Sequence, residues 1–592
     1  MRTIVTRKSI LSVLIALTLV VTFAGGALIQ GRATKAYAAS PKSYTNNNPI
    51  CSRLGKSLQG STGMQMWCFG PQQNGSGQHP VSTSTGSFGS NVNAANPKED
   101  RSPAGVQADG QSEVSIASIG QYSVEAWNDS TGFIAPCPSP MNKEELTGYG
   151  FSSDGGKTYT DEGGLPNTNC STTRLSGDPS VEAWHAGGSN YFYVSSIDVS
   201  SFSSSDPRNF LAINACKVSG AGLSCSQPII AASSTQCDPS ATFCSFLDKE
   251  FLSIDPVHGR LYMSYTEFGI NFSPPDNLTN GQIELAVCDI GKPNGTPGPQ
   301  GGTAANPVCF PGSAGTATRP GSPYFVVAPG DLSCENEGAY PAVDRATGAV
   351  YVAYEHNWAT NIFGSFGGPT NCLAVPTQNV TNYIPATCLT LPNASCTGPA
   401  TTNAVNIISM DATFIPGYNR FPMNDFPRIA VSDSAGTVSI VWNDARRRPS
   451  GDIYLQSYSL GGLAPVTARP VRIDTAGGWA FLPAVRQADA HGNLNISFYG
   501  RTSKNTAITD VFASESVNPR AVSTPASNTL VTTKPSDWNA VSSLIIPNFG
   551  DYTDNYVQAT SSAPFNSDLL YVAWSDGRIG VPQPFSAHTH VP

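Results

Sequence analysis

The chain has 592 residues, of which 40% are hydrophobic and only 13% are charged, and its formal net charge at neutral pH is -9. That length exceeds one ordinary globular core and calls for several domains or a repeat architecture. The plentiful Trp, Tyr and Phe exclude a disordered chain, and the lack of any Lys/Arg run excludes nucleic acid as a partner. Low charge with long Ser/Thr/Asn/Gly tracts reads as a β-rich protein made for export.

The N-terminus supports that reading. "MRTIVTRKS" is a basic n-region, Ile10 to Ile29 is an apolar run, and "ATKAYAAS" places small residues at Ala36 and Ala38 for a signal peptidase. Residues 1–38 are therefore read as a signal peptide, with cleavage before Ala39. The apolar run is also long enough to cross a bilayer, so an uncleaved anchor is the alternative, and a membrane is a partner only in that case. Either way the remainder is extracellular, secreted or held at the cell surface. Residues 39–104 form a loop-rich segment, and 105–592 carry the repeats.

Fourteen cysteines, an even number, suit an oxidising compartment. Many have a near neighbour: Cys51 and Cys68, Cys137 and Cys170, Cys216 and Cys225, Cys237 and Cys244, Cys288 and Cys309, Cys388 and Cys396. Cys334 and Cys372 remain. With no C-x-x-C, local disulfides that staple loops are expected rather than zinc.

One phrase occurs seven times: a polar or acidic residue, a short apolar strand, a Gly-containing turn, and a second strand ending in an aromatic. Examples are "SEVSIASIGQYSVEAWND", "DKEFLSIDPVHGRLYMSYTEF", "GAYPAVDRATGAVYVAYEHN" and "DFPRIAVSDSAGTVSIVWNDAR". Aligned, the second strands place Trp127, Ser196, Tyr265, Tyr354, Trp442, Tyr499 and Trp574 at one equivalent position. Each interval has room for two further strands, such as "DIYLQSYSLGG" and "ITDVFASES". The pattern predicts an all-β fold, a β-propeller of four-stranded blades. The count is seven, or six if the first copy is not a full blade. Uneven spacing argues against a β-helix, and the absence of linkers argues against tandem sandwiches. The last copy has two strands and a candidate third, "FSAHTHV", so an N-terminal strand, with "HPVSTSTGSF" as candidate, should close the ring and remove an open edge. Val181, Leu252, Val343, Ile429 and Val485 should be buried between blades.

The stretch "FSSDGGKTYTDEGG" places Ser152, Asp154, Gly156, Thr158 and Tyr159 at the spacing S-x-D-x-G-x-T-W, with Tyr for Trp. It resembles the Asp-box, the turn between third and fourth blade strands of sialidase-like propellers. "DKEF", "NDFPRIAV", "FYGR" and "FGDYTDN" are similar to phrases of secreted BNR-repeat, exo-α-sialidase-like proteins. The resemblance implies the propeller fold, a glycan or glycoprotein partner and a monomer, and it raises glycoside hydrolysis as the activity.

Acids recur at or just before the first strand of successive copies: Asp178, Asp248 with Lys249 and Glu250, Glu337, Asp425, and Asp551 with Asp554. A ring of carboxyls facing one cavity could supply the acid and base of glycoside hydrolysis. Asp248, Glu250, Glu337, Asp425 and Asp551 are the candidate catalytic acids. Tyr499, Tyr340 and Tyr552 are candidate phenol nucleophiles of the sialidase kind. Arg428, Lys249 and Asp178 are candidate substrate-binding residues. Asp551 and Asp554 offer hard oxygen ligands of the type Ca²⁺ takes. The bland alternative is that these acids cap turns or join blades. An acidic sugar would need an arginine cluster, but only Arg428 stands squarely on a first strand, while Arg446, Arg501 and Arg578 follow second strands, where local pairing with Asp444 and Asp576 is expected. Two functions follow: a glycan-processing hydrolase, or a non-catalytic glycan- or protein-binding propeller. Asn277, Asn379 and Asn393 begin Asn-x-Ser/Thr sequons.

Overall fold

The computed structural model describes residues 88–591, leaving aside 101–107, 135–144, 169, 201–207, 235–243, 269–280, 311–324, 330–334, 359–375, 392–397, 411–414, 419–423, 476–477, 502–506, 544–545, 547 and 559–567. Residues 1–38, read above as a signal peptide, and Asn277 and Asn393 lie outside the described residues. So do Cys51, Cys68, Cys137, Cys237, Cys334, Cys372 and Cys396.

Seven antiparallel sheets follow one another along the chain, and each opens with one of the seven hairpin phrases. The inner strands are Gln111–Ile119, Val181–Ala186, Phe246–Asp255, Glu335–Asp344, Arg428–Ser432, Ala480–Ala484 and Asp554–Gln558. Each packs against the neighbouring blade, and the last returns to the first. The molecule is a seven-bladed β-propeller. Blade 1 is complete, with Tyr122–Asp129, Thr147–Ser152 and Thr160–Gly164 beyond its inner strand, so the six-blade alternative is set aside.

Blades 3 and 6 carry five strand pieces because one long strand is paired by two short ones, and blade 2 carries six because two long strands are. In blade 2, for example, Gly222–Cys225 and Ile229–Ser233 both pair with Asn209–Ser219. "DIYLQSYSLGG" and "ITDVFASES" form third strands, Asp452–Ser459 and Ile508–Val517. Second strands are covered on both faces, which is why their residues read as nearly continuous apolar runs. Trp127, Trp442 and Trp574 are fully buried, each contributing roughly 1.5–3 kcal/mol through burial. Val181, Leu252, Val343, Ile429 and Val485 are buried as well. Asn379 is also buried, in the third strand of blade 4, so a glycosyltransferase could not reach it in the folded chain.

An N-terminal strand closes the ring, but not at the stretch expected. "HPVSTSTGSF" ends at Phe88, and the closing strand is Val92–Asn93, paired with the C-terminal strand Gln583–Val591. The difference is one of loop length: Phe88 is instead buried in the core beside Phe585 and Ala587. Asn93 Nδ2 donates to Gln583 Oε1 at 3.1 Å.

The turn from Ser152 to Tyr159 joins the third and fourth strands of blade 1. Asp154 Oδ1 accepts from the amides of Lys157 and Thr158, both at 3.0 Å, and Oδ2 accepts from Thr158 Oγ1 at 2.7 Å. Gly155 and Gly156 both sit at φ +80°, the left-handed region that disfavours a side chain. Tyr159 folds back to donate to Ser123 Oγ at 3.0 Å. Asp154 and Thr158 close the turn and Tyr159 ties it to the second strand of the blade, which makes it a folding device.

Cys216–Cys225 and Cys288–Cys309 are disulfides between adjacent strands. Cys170, Cys244 and Cys388 are also disulfide-bonded, and their expected partners fall outside the described residues. No cysteine among the described residues is free.

The closing seam carries a pH dependence. Asp100 is buried and accepts from Gln111 Nε2 and Gln583 Nε2, both at 2.9 Å. Burial, then the nearby Asp129 carboxyl, pushes Asp100 up to about 8 against the opposing hydrogen bond from Gln583. The folded chain therefore keeps a proton that the unfolded chain releases in the ordinary carboxylate range, and stability falls as pH rises between those values. Thermal unfolding should show Tm declining from about pH 5 to about pH 8, with Asp100→Asn flattening part of that slope. A slope identical in the variant would remove Asp100 as a cause.

Candidate functional site at the channel

Near their starting ends the inner strands share one distortion. In blades 1, 3, 4 and 6 the register slips between Ser112 and Ser115, Asp248 and Phe251, Glu337 and Tyr340, and Phe481 and Ala484. Left-handed backbone marks each slip: Glu113 at φ +56°, Lys249 at +61°, Gly338 at +67° and Leu482 at +47°. Asp178, just before the inner strand of blade 2, adopts φ +56°, and Gly550 before that of blade 7 adopts +80°. Each non-glycine residue held this way costs on the order of 1–3 kcal/mol. At Gly338 no side chain fits, since a Cβ would stand 2.1 Å from the Phe426 ring. These bulges re-aim the residues beside them, and Asp248, Glu250 and Glu337 sit at them.

Asp178, Asp248, Lys249, Glu250, Glu337 and Asp551 are all buried, as is Glu113, which the sequence reading missed. Lys249 Nζ donates to Asp551 Oδ2 and lies 3.9 Å from Asp178 Oδ2. Burial works to lower the lysine pKa, but Asp551, Glu113, Asp178 and Asp248 outweigh it and hold the ammonium charged. Glu113 ties the cluster to its scaffold, accepting from Asn128 Nδ2 at 2.8 Å and from the Asp551 amide at 3.0 Å. Asn128 also donates to Asp178 Oδ1 at 3.2 Å.

One ammonium cannot balance six carboxyls. Burial, then Asp178, pushes Glu250 well above the carboxylate range. Burial does the same to Glu337 against the pull of Lys249, and burial with Glu113 raises Asp178. Neither Glu250 nor Glu337 has a hydrogen-bond partner at either carboxyl oxygen among the described residues. Beside the cluster, Phe251 stacks on Tyr340 at 3.7 Å and meets Tyr552 edge-on at 5.2 Å. Burial raises both phenols, Tyr340 and Tyr552, and Tyr552 donates to Pro179 O at 3.3 Å.

Two cavities lie along the channel. The narrow one is lined by residues of every blade, among them Ser115, Ser180, Phe251, Tyr340, Arg428 and Asp554, and holds about 20 Å³, roughly one water. The wide one, about 500 Å³, opens at the far ends of the inner strands past Trp184, Arg345, Asp433, Asp489 and Tyr556. Arg486 and Glu182 line both. Arg486 donates to Asp554 Oδ2 at 2.9 Å, Glu182 Oε1 at 2.8 Å, Val181 O at 2.8 Å and Leu252 O at 3.0 Å. Arg428 donates to Asp554 Oδ1 at 2.8 Å and Thr553 O at 2.7 Å, with its guanidinium 4.1 Å above the Tyr340 ring.

Not every expected residue joins the cluster. Asp425 lies apart, accepting from Asn443 Nδ2 and the Met410 amide and raised by burial, then by Glu355 and Asp444. Tyr499 belongs to the core between blades 6 and 7, packed on Phe481 and Phe549, and donates to Ser575 O at 2.7 Å. Its register position resembled that of Tyr354, but its ring points into apolar packing. Asp551 and Asp554 do not converge as a pair of metal ligands, since the first faces Lys249 and the second faces Arg428 and Arg486. Among the described residues no group of three or more His, Cys, Asp or Glu side chains could hold a metal ion. Arg446 and Arg578 pair locally with Asp444 and Asp576, both at 2.6 Å. Arg501 donates to Thr509 Oγ1 and Pro416 O and is buried with its guanidinium over the Phe481 ring. The sequence reading also missed Arg486, which stands two residues past its inner strand in "FLPAVRQAD", and Glu182, inside "SVEAW". A charge directly after a buried Val, Val485 or Val181, is the signal both share.

Fold and site together define a seven-bladed β-propeller with a buried carboxyl cluster near the starting ends of its inner strands. No family model matches the chain, and no curated protein matches it. Among solved structures it is similar to the α-L-arabinanase of Penicillium chrysogenum complexed with arabinobiose, at 12% identity over 86% of this chain and 99% of that one, with a TM-score of 0.37. It is similar also to the Trypanosoma rangeli sialidase, at 10% identity over 86% and 60% with a TM-score of 0.32. A lectin variant of Aleuria aurantia in complex with Fucα1-6GlcNAc matches at 11% identity over 69% and 93%, with a TM-score of 0.31. Likenesses at these TM-scores carry no argument about the reaction.

Breaking a buried ion pair strands the remaining charge, at a cost of roughly 3–5 kcal/mol. Asp554→Asn should therefore lower the unfolding free energy in urea by about that amount, whereas Asp154→Asn in the exposed blade 1 turn should cost far less. Equal losses in the two variants would contradict a channel hub.

Proposed function

We propose that the chain is an extracellular glycan-processing propeller, a glycoside hydrolase working at the carboxyl cluster. Its sialidase-like phrases suggest a glycan as substrate, and its disulfides support the compartment. In this proposal residues 1–38 are the targeting segment, 39–104 an N-terminal segment that lends blade 7 its outer strand, and 105–592 the propeller.

The observation that carries the reading is at Glu250 and Glu337: four carboxyl oxygens buried without a partner among the described residues. A folding device would have satisfied them, because each unmet buried polar group costs stability. Perturbed acids grouped in a channel are what general acid catalysis needs. Burial pushes both Glu250 and Glu337 well above the carboxylate range, which suits either to give a proton to the leaving oxygen. Asp551, paired with the Lys249 ammonium, is the carboxylate suited to act as base or nucleophile on the sugar. Tyr340 and Tyr552, both raised by burial, stand beside it.

One observation favours the second reading, a non-catalytic binding propeller: the cluster is sealed from solvent. In the hydrolase reading that burial is the water-excluded state, and turnover includes an opening step. Assays of the full chain on an aryl glycoside panel separate the two. Hydrolysis is expected, and Glu250→Gln or Glu337→Gln should lower kcat by about 10²–10⁴-fold for whichever is the acid, with Tm nearly unchanged because a protonated Glu and a Gln are close in shape and charge. Absence of hydrolysis across the panel, with glycan binding retained, would leave the binding reading in its place.

A further inference from the structure

We propose that the wide cavity at the far mouth of the channel is a second binding site, which takes a small organic ligand through a single carboxylate held by Arg345. The site is independent of the hydrolase reading, since no residue of the carboxyl cluster lines it. Its volume of about 500 Å³ is in the range that takes a small-molecule ligand, and every blade contributes to its wall.

The first support is that Arg345 is positioned but not neutralised. It directly follows the inner strand of blade 4, where Asp344 pins the turn by accepting from the Ala346 amide at 2.9 Å and from Thr347 Oγ1 at 2.6 Å. Among the described residues its guanidinium makes one hydrogen bond, from Nη2 to Gln487 Oε1 at 3.0 Å. Gln487 is fixed in turn, because its Nε2 donates to Val557 O. The partner is thus a neutral amide, and the other N–H groups of the fork stay open. Arg428 and Arg486, the other guanidiniums that line the two cavities, reach Asp554 at 2.8 and 2.9 Å.

The second support is that the acids of the same cavity already have donors. Glu182 accepts from Arg486 at 2.8 Å and Asp568 from the Ala490 amide at 2.6 Å. Asp489 accepts from the His491 and Asn493 amides at 3.0 and 2.9 Å. The Arg345 amide donates to Asp433, whose carboxyl is raised by burial, then by Asp344, against the pull of the Arg345 charge. The unmatched group is therefore a cation. An ionised acceptor bonds a guanidinium about twice as strongly as a neutral one, so a carboxylate is favoured over a hydroxyl. A dianion would bring a second negative charge among four acids, which disfavours phosphate or sulfate. Ile254, Val343 and Val431 line the cavity as apolar wall for the body of the ligand.

The test is isothermal titration of the full chain with galacturonate against galactose, hexanoate against hexanol, and inorganic phosphate. At least one carboxylate should bind about 10-fold tighter than its uncharged counterpart and than phosphate, and which one does so separates a sugar acid from an aliphatic acid. Arg345→Gln should abolish that preference, while Glu250→Gln, at the other end of the channel, should leave it unchanged. Arg345→Lys keeps the charge without the fork and should weaken carboxylate binding several-fold, which serves if the Gln variant does not fold. Equal affinity within both pairs, phosphate binding as tightly as the carboxylates, or no binding of either carboxylate would overturn the site. So would binding that both Arg345 variants leave unchanged, or a preference lost in Glu250→Gln. Hydrolysis at the cluster is read separately, so failure here leaves that reading standing.

Discussion

The carboxylate of Asp554 is the contact on which the ring depends. Its two oxygens take Arg428 from blade 5 and Arg486 from blade 6, and Ser115 of blade 1 donates to it at 2.6 Å. Arg486 reaches on to Glu182 in blade 2 and Leu252 in blade 3, while Arg428 lies over Tyr340 of blade 4. Two cations and two anions thus touch all seven blades. In the low dielectric of the channel the pairing is strong only because nearly every donor has an acceptor. The balance is local, and it leaves the neighbouring cluster to settle its own charge with Lys249 and bound protons.

That division separates two uses of charge within one channel. Around Asp554 the groups are matched in number and geometry, which holds blades in place. Around Lys249 they are mismatched, and the backbone is strained at Glu113, Asp178 and Lys249. Strain and unmet polarity at the same residues are hard to account for by stability alone. The bulges that carry them sit on strands anchored on both sides, so the carboxyls are presented from rigid elements.

The blades were legible in the sequence because strand burial on both faces leaves a strong apolar signature, as in "AVYVAYEHNW", and because Gly-containing turns punctuate it. Blade count and the three-strand terminal blade followed from that pattern. The short closing strand did not, since Val92–Asn93 is two residues held by one edge and carries no alternation of its own. The acids of the site were visible as a recurring position, but which of them meet was not. Asp425 and Asp551 stand at similar places in their phrases, yet one joins Glu355 and the other Lys249. Tyr499 looked like a site phenol because sequence reports register and not the side on which a ring is packed. Arg486 and Glu182 were hidden for the opposite reason: each resembled an ordinary strand-end charge, and only the closed ring brings them together.

The ring closes between positions 490 residues apart, where Asn93 meets Gln583. Blades 1 to 6 can each form from local hairpins as a chain emerges N-terminus first, but the outer edge of blade 7 can be completed only when the final strand is out. Until then the segment at Val92 must wait unpaired, and Asp554 is not yet present to neutralise Arg428 and Arg486. Birth order therefore imposes a long interval in which six blades exist without their clasp and two buried cations lack their shared anion. Protection of blade 7 against proteolysis is expected only once Gln583–Val591 has paired with Val92–Asn93.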